Sequence, residues 1–163
     1  PLVPLAKTAA VLNIEMLSPD GPTRDIASWG YGRVSLENDL KRVAEAHGRT
    51  YSPDPNLEAG FFYRADHFAF ARAGVPAITV GAGLDRIDGG VASGKALRDA
   101  YFARCYHQPC DAWTASWDAR GQAQDVALLY ALGREIADGD AWPHWLNGSE
   151  FKAVRERSET ERK

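Results

Sequence analysis

The chain has 163 residues, 45% of them hydrophobic and 25% charged, a composition that argues for a packed core rather than disorder. Its net charge of -3 speaks against a nucleic-acid or anionic-membrane partner, because both call for a clustered basic surface. No apolar run approaches the roughly 20 residues that cross a bilayer, so no membrane-spanning segment is expected.

The opening residues, Pro1-Leu2-Val3-Pro4-Leu5, carry no Met and no signal-like pattern and read as the interior of a longer chain. Residues 9–17 form a short apolar run that reads as a buried strand, ended by Asp20-Gly21-Pro22. Asp25 to Tyr31 is a candidate second strand. Ser35 is a good N-cap for a helix whose Leu36, Leu40, Val43 and Ala44 share one face, with Gly48 at its C-terminal cap. Thr50 to Gly60, rich in Pro, Asp and Asn, reads as a loop. Asp66 then caps a short helix through Ala73, closed by Gly74 and Val75-Pro76. Pro76 to Gly81 is a further buried strand. Gly81 to Gly94 reads as a long surface loop. Arg120 to Asp138 is the clearest helix, with Val126, Leu129, Leu132, Gly133 and Ile136 on one stripe and Gly139 closing it. From Ser149 the sequence is charged. The organisation is therefore one unit over residues 1–148 and a charged C-terminal tail over 149–163. Buried strands alternating with helices predict an α/β fold with a sheet covered on both faces.

Ligands of such sheets bind beyond the carboxyl ends of strands, which draws attention to Glu15 at the end of the first. A carboxylate inside Leu-Asn-Ile-Glu-Met-Leu is either paired or metal-bound, or it simply emerges into water. His107 stands in Cys105-Tyr106-His107-Gln108-Pro109-Cys110-Asp111, where Asp111 is near enough in sequence to orient the imidazole. A lone His is more often structural than a ligand, and both readings stay open. Cys105 and Cys110 read as free or mutually paired thiols rather than half of a zinc site, which wants four ligands. Asp66 has a sufficient role as a cap, and His67 follows it. Tyr63 and Arg64 line a pocket or cover the surface. Trp113, Trp117, Trp142 and Trp145 are expected to pack against the core edge. Gly81-Ala-Gly83 lacks the third glycine of a dinucleotide loop, and Asp85 and Asp88 do not fit a calcium loop.

Taken together, four segments resemble the zinc exopeptidases of bacterial leucyl aminopeptidase and glutamate carboxypeptidase type. Asn13-Ile14-Glu15-Met16-Leu17 is similar to that family's Asn-Leu-Asp-Met segment. Phe62-Tyr63-Arg64-Ala65-Asp66-His67-Phe68-Ala69-Phe70 resembles its Tyr-Arg-Ser-Asp-His-x-x-Phe segment, with Ala73-Gly74-Val75-Pro76-Ala77 following in order. Tyr106-His107-Gln108-Pro109-Cys110-Asp111 resembles its Tyr-His-x-Pro-x-Asp segment. Asn147-Gly148-Ser149-Glu150-Phe151, after Trp142-Pro143, is similar to the close of a bacterial envelope subgroup. The likeness runs over about residues 8 to 152.

The resemblance implies a three-layer sandwich, a mixed and mostly parallel β-sheet flanked by helices, incomplete in this chain. It implies a metallo-aminopeptidase with two zinc ions, which polarise the scissile carbonyl and lower the pKa of the attacking water. Glu15 would bind one ion and His107 the other. Tyr106 would stabilise the oxyanion, while Asp66, His67, Tyr63 and Asp111 would line or support the pocket. The expected partners are a peptide substrate and a missing N-terminal part bearing the other ligands and the general base, so the fragment alone is expected to be inactive. The subgroup implies a periplasmic or secreted protein. One departure stands out: the family usually has Asp where this chain has Glu15. The extra methylene moves the carboxylate by about 1 Å, against a tolerance of about ±0.2 Å in zinc–oxygen distances. Two alternatives follow, a non-catalytic peptidase-fold binding module and a glutaminyl cyclase-like acyltransferase.

Overall fold

The computed structural model describes residues 2–54 and 56–162. Four strands form one sheet: β1 (Val11–Ile14), β2 (Asp25–Trp29), β3 (Thr50–Ser52) and β4 (Ala77–Ala82), in the order β1-β4-β2-β3. β1 runs parallel to β4 and β2 parallel to β3, while β2 and β4 are antiparallel. The sheet is thus mixed and mostly parallel, with helices on its faces, as an α/β sandwich requires. Its helices are α1 (Leu36–Ala46), α2 (Phe68–Arg72), α3 (Gly90–Arg104), α4 (Ala119–Asp138) and α5 (Lys152–Arg157).

Strand alternation separates two chemistries. Leu12, Ile78 and Val80 share one face, where Leu12 lies against α4 at Gly133 and α1 packs on α4. Here Ile26, Leu40, Val43, Leu128 and Leu132 form the core. Asn13 and Thr79 stand side by side on the other face, with Trp29 opposite Thr79 across the β2–β4 pair. That face meets α2 and the 3-10 turn Phe61–Arg64. β1 lies at an edge of the sheet. Beside it runs an apolar groove lined by Leu12, Gly133, Ile136, Ala137 and Trp142, and Ile14 is 54% exposed.

Several local expectations are corrected. Thr50–Ser52 is a strand, not loop, because pairing with Asp25–Ala27 outweighs its loop-like composition. Residues 90–104 form α3, whose start lies inside the expected surface loop. Its Gly90-Val91-Ala92-Ser93-Gly94 opening has no apolar stripe, and Gly94 is there because a Cβ would lie 2.1 Å from the Leu84 carbonyl oxygen. Neither Ser35 nor Asp66 caps a helix through its side chain. Ser35 Oγ instead accepts the His144 N–H, and Glu37 takes the N–H groups of Gly32 and Arg33. On α4 the buried apolar side chains are Leu128, Leu129 and Leu132, while Val126 is exposed. Gly139 follows α4 with an ordinary negative φ. Of the four tryptophans expected at the core edge, Trp145 alone is a core residue, at 1% exposure; Trp113, Trp117 and Trp142 are exposed. The charged segment beyond residue 149 packs on the rest: Phe151 and Arg155 are buried, and Gly74 leaves room for the backbone of Arg155.

Candidate active site

Glu15 follows the carboxyl end of β1, and the chain turns sharply after it: Met16 takes a left-handed φ of 47°. Its carbonyl accepts the Ala82 N–H at 3.2 Å, tying the turn to the end of β4. His107 also has a left-handed φ, 58°. Among the described residues these are the only two non-glycine positions with positive φ, and they flank or form the two candidate ligands. Such strain persists only where the surroundings enforce it, and it clusters at functional sites.

The surroundings of His107 are built for that purpose. Cys105 and Cys110 form a disulfide that closes the turn around it. The Asp111 carboxylate accepts the His107 backbone N–H at 3.1 Å and the Tyr101 hydroxyl at 2.9 Å. Asp111 therefore holds the backbone of the turn, where orientation of the ring was expected. The imidazole is instead oriented by stacking on Tyr106, with centroids 3.9 Å apart and planes 20° apart. Tyr106 continues into a line of half-buried rings through Phe102 and Phe61 to Trp29. Trp29 lies across Gly81, where a Cβ would sit 2.9 Å from its indole nitrogen.

Asp66 and His107, far from Glu15 in sequence, both bear on its carboxyl through their charges. Burial pushes the Glu15 carboxyl above its ordinary value, its hydrogen bond from Asn13 opposes this, the Asp66 charge adds to it, and His107 pulls it down. His67 reaches Glu15 through two hydrogen-bonded side chains. It is fully buried, and its Nδ1 lies 2.6 Å from Thr79 Oγ1, which in turn accepts from Asn13 Nδ2 at 3.1 Å. Tyr63 turns away: its hydroxyl donates to Glu150 at 2.7 Å. Asn13 and Thr79 were missed in the sequence. Their signal was present, as a polar side chain within each of two apolar strands.

Burial drives the His67 pKa down to about 4. Its unfolded value is about 6.5. Below 6.5 the unfolded chain takes up a proton that the folded chain refuses, so folding stability should fall as pH drops from about 6.5 towards 4. His67→Gln should flatten that part of the profile. Denaturation midpoints from pH 7 to 4 check this, and equal slopes for both proteins would contradict it.

The model of peptidase family M28 matches residues 2–131. This chain belongs to peptidase family M28. No curated protein and no solved structure matches it. M28 peptidases are peptide hydrolases and in general zinc-dependent. Glu15 and His107 offer an anionic oxygen and an imidazole nitrogen, donor types that zinc takes. Yet among the described residues no three His, Cys, Asp or Glu side chains converge as a metal cluster needs. The described residues of this M28 chain do not by themselves close a zinc site.

Proposed function

We infer that this M28 chain supplies part of a two-zinc aminopeptidase site, with Glu15 a ligand to one ion and His107 to the other. The observation that carries the reading is the place of Glu15 just past the carboxyl end of β1, where the Asp66 and His107 charges bear on its carboxyl, each of the three in a segment that resembles the exopeptidase pattern. Tyr106, stacked on His107, is the hydroxyl nearest that group in sequence and takes the oxyanion role. Asp66, His67 and Asp111 support the pocket, and Tyr63 belongs to its outer wall. The remaining ligands and the general base come from further strands that pair along the free edge of β1. The Cys105–Cys110 disulfide suits an oxidising compartment, periplasmic or extracellular.

A second reading, a peptidase-fold binding module without catalysis, is favoured by one feature, the longer Glu at position 15. The test is zinc content and amino-acid release by the protein carrying the complete domain, beside His107→Ala and Glu15→Asp. The aminopeptidase reading expects about two zinc ions per domain and chelator-sensitive release. Loss of supporting residues around a metal ligand costs about 10–100-fold, so loss of the ligand itself in His107→Ala should lower release by more than about 100-fold. A complete domain with one zinc or none, restored by Glu15→Asp, would favour the binding module instead.

A further inference from the structure

One hydrogen-bonded line on the polar face of the sheet joins His67 to Glu15 through two side chains, Thr79 and Asn13, that have no role above. Asn13 Nδ2 donates to Glu15 Oε2 at 3.0 Å and to Thr79 Oγ1 at 3.1 Å, and Thr79 Oγ1 lies 2.6 Å from His67 Nδ1. We propose that Asn13, Thr79 and His67 are positioning residues for Glu15: the buried imidazole anchors the line, the line fixes the Asn13 amide, and that amide holds Oε2 so that Oε1 is the oxygen Glu15 presents.

The bond directions of the line start from the amide hydrogens. The Asn13 amide nitrogen carries two, one for each neighbour. Thr79 Oγ1 accepts one of them, and since His67 Nδ1 is the only other hydrogen-bond partner of that oxygen among the described residues, we assign its own hydrogen to that contact. With that assignment the ring nitrogen is bare and the ring hydrogen sits on Nε2. Burial agrees, because it keeps the ring neutral. Nε2 is buried and has no hydrogen-bond partner among the described residues; the Phe62 ring stands edge to face with the imidazole, 4.5 Å between centroids. The anchor cannot shift easily, since His67 and Thr79 are both fully buried. The moving end is Glu15, half-buried, with no hydrogen bond to Oε1 from the described residues. The amide thus selects one rotamer for a carboxylate one methylene longer than the family's usual Asp. That is a way for the longer side chain to be held in a single place.

The functional meaning rests on the reading of Glu15 as a site residue, but the positioning itself can be read without catalysis. The experiment is NMR on the isotope-labelled full chain. Long-range proton–nitrogen correlations should show His67 with a bare Nδ1 and a protonated Nε2. Side-chain couplings should show Glu15 in one rotamer. Asn13→Ala and Thr79→Val should each average the Glu15 rotamers, and Thr79→Ser, which keeps the hydroxyl, should restore the single one. A hydrogen on Nδ1 of His67, or a Glu15 rotamer unmoved by Asn13→Ala and Thr79→Val, would overturn the proposal. A domain without peptidase activity that still shows the expected couplings would sink the aminopeptidase reading and leave the positioning intact.

Discussion

Asp125→Ala is expected to destabilise the chain by about 3–5 kcal/mol, the usual cost of stranding one partner of a buried ion pair. Asp125 on α4 and Arg49 before β3 are buried to 0% and 2% side-chain exposure, with Nη1 and Oδ1 2.8 Å apart. That approach is a charge contact off the hydrogen-bond line, so the remaining bonds matter. Asp125 Oδ2 accepts the Ser18 N–H at 2.8 Å, and Arg49 Nη2 donates to Thr23 Oγ1 at 2.7 Å and to the Asp25 carbonyl. One carboxylate thus joins α4, the turn after β1 and the start of β2 and β3. Removing it leaves a guanidinium without its counter-charge in a dry site and frees the Ser18 N–H. Such a loss is a large share of the roughly 5–15 kcal/mol that holds a domain together. Removing both charges, as Arg49→Met with Asp125→Leu, should recover much of it. Urea denaturation measures each variant. A single-variant loss below about 1 kcal/mol would mean that the pair is solvated or dispensable.

Trp145→Ala should be comparably severe, at about 3–5 kcal/mol. Trp145 is the largest fully buried side chain. Its indole N–H donates to the Gly74 carbonyl at 2.9 Å, and its ring lies 4.9 Å from Phe151, which stacks on Phe62. The backbone around it pairs with the loop before α1, through Ser35 N–H to His144 O and Leu146 N–H to Arg33 O. Trp145 therefore fastens the segment after α4 to the polar side of the sheet, next to the residues that follow the Asp66-His67 pair. Trp145→Phe separates the two contributions. It keeps most of the apolar burial but leaves the Gly74 carbonyl unpaired, a penalty of about 1–3 kcal/mol. Limited proteolysis offers an independent view: in Trp145→Ala, cleavage should move into residues 140–162. Unchanged digestion together with a small stability loss would show that the closing segment contributes little.

The sequence by itself carried much of this protein. Apolar runs bounded by turn residues located β1, β2 and β4 within a residue or two at most ends, and an apolar stripe located α1 and α4. Glu15 and His107 stood out by being polar or unusual for their neighbours, and motif order pointed to the zinc exopeptidases, a family that the M28 match supports at the level of a peptide hydrolase. What composition and periodicity left undecided shares a physical cause: the deciding partners are distant along the chain. β3 is a strand because Asp25–Ala27 offers its backbone a ladder, not because Thr-Tyr-Ser demands one. α3 lacks an apolar stripe and is held by a glycine pressed against the Leu84 carbonyl. Asp66 and Ser35 look like caps locally, yet neither side chain takes up that bond. The line from Glu15 through Asn13 and Thr79 to His67 exists only because β1 and β4 lie side by side in one register. Local pattern reports what a segment can bury; register and packing decide which polar atoms meet.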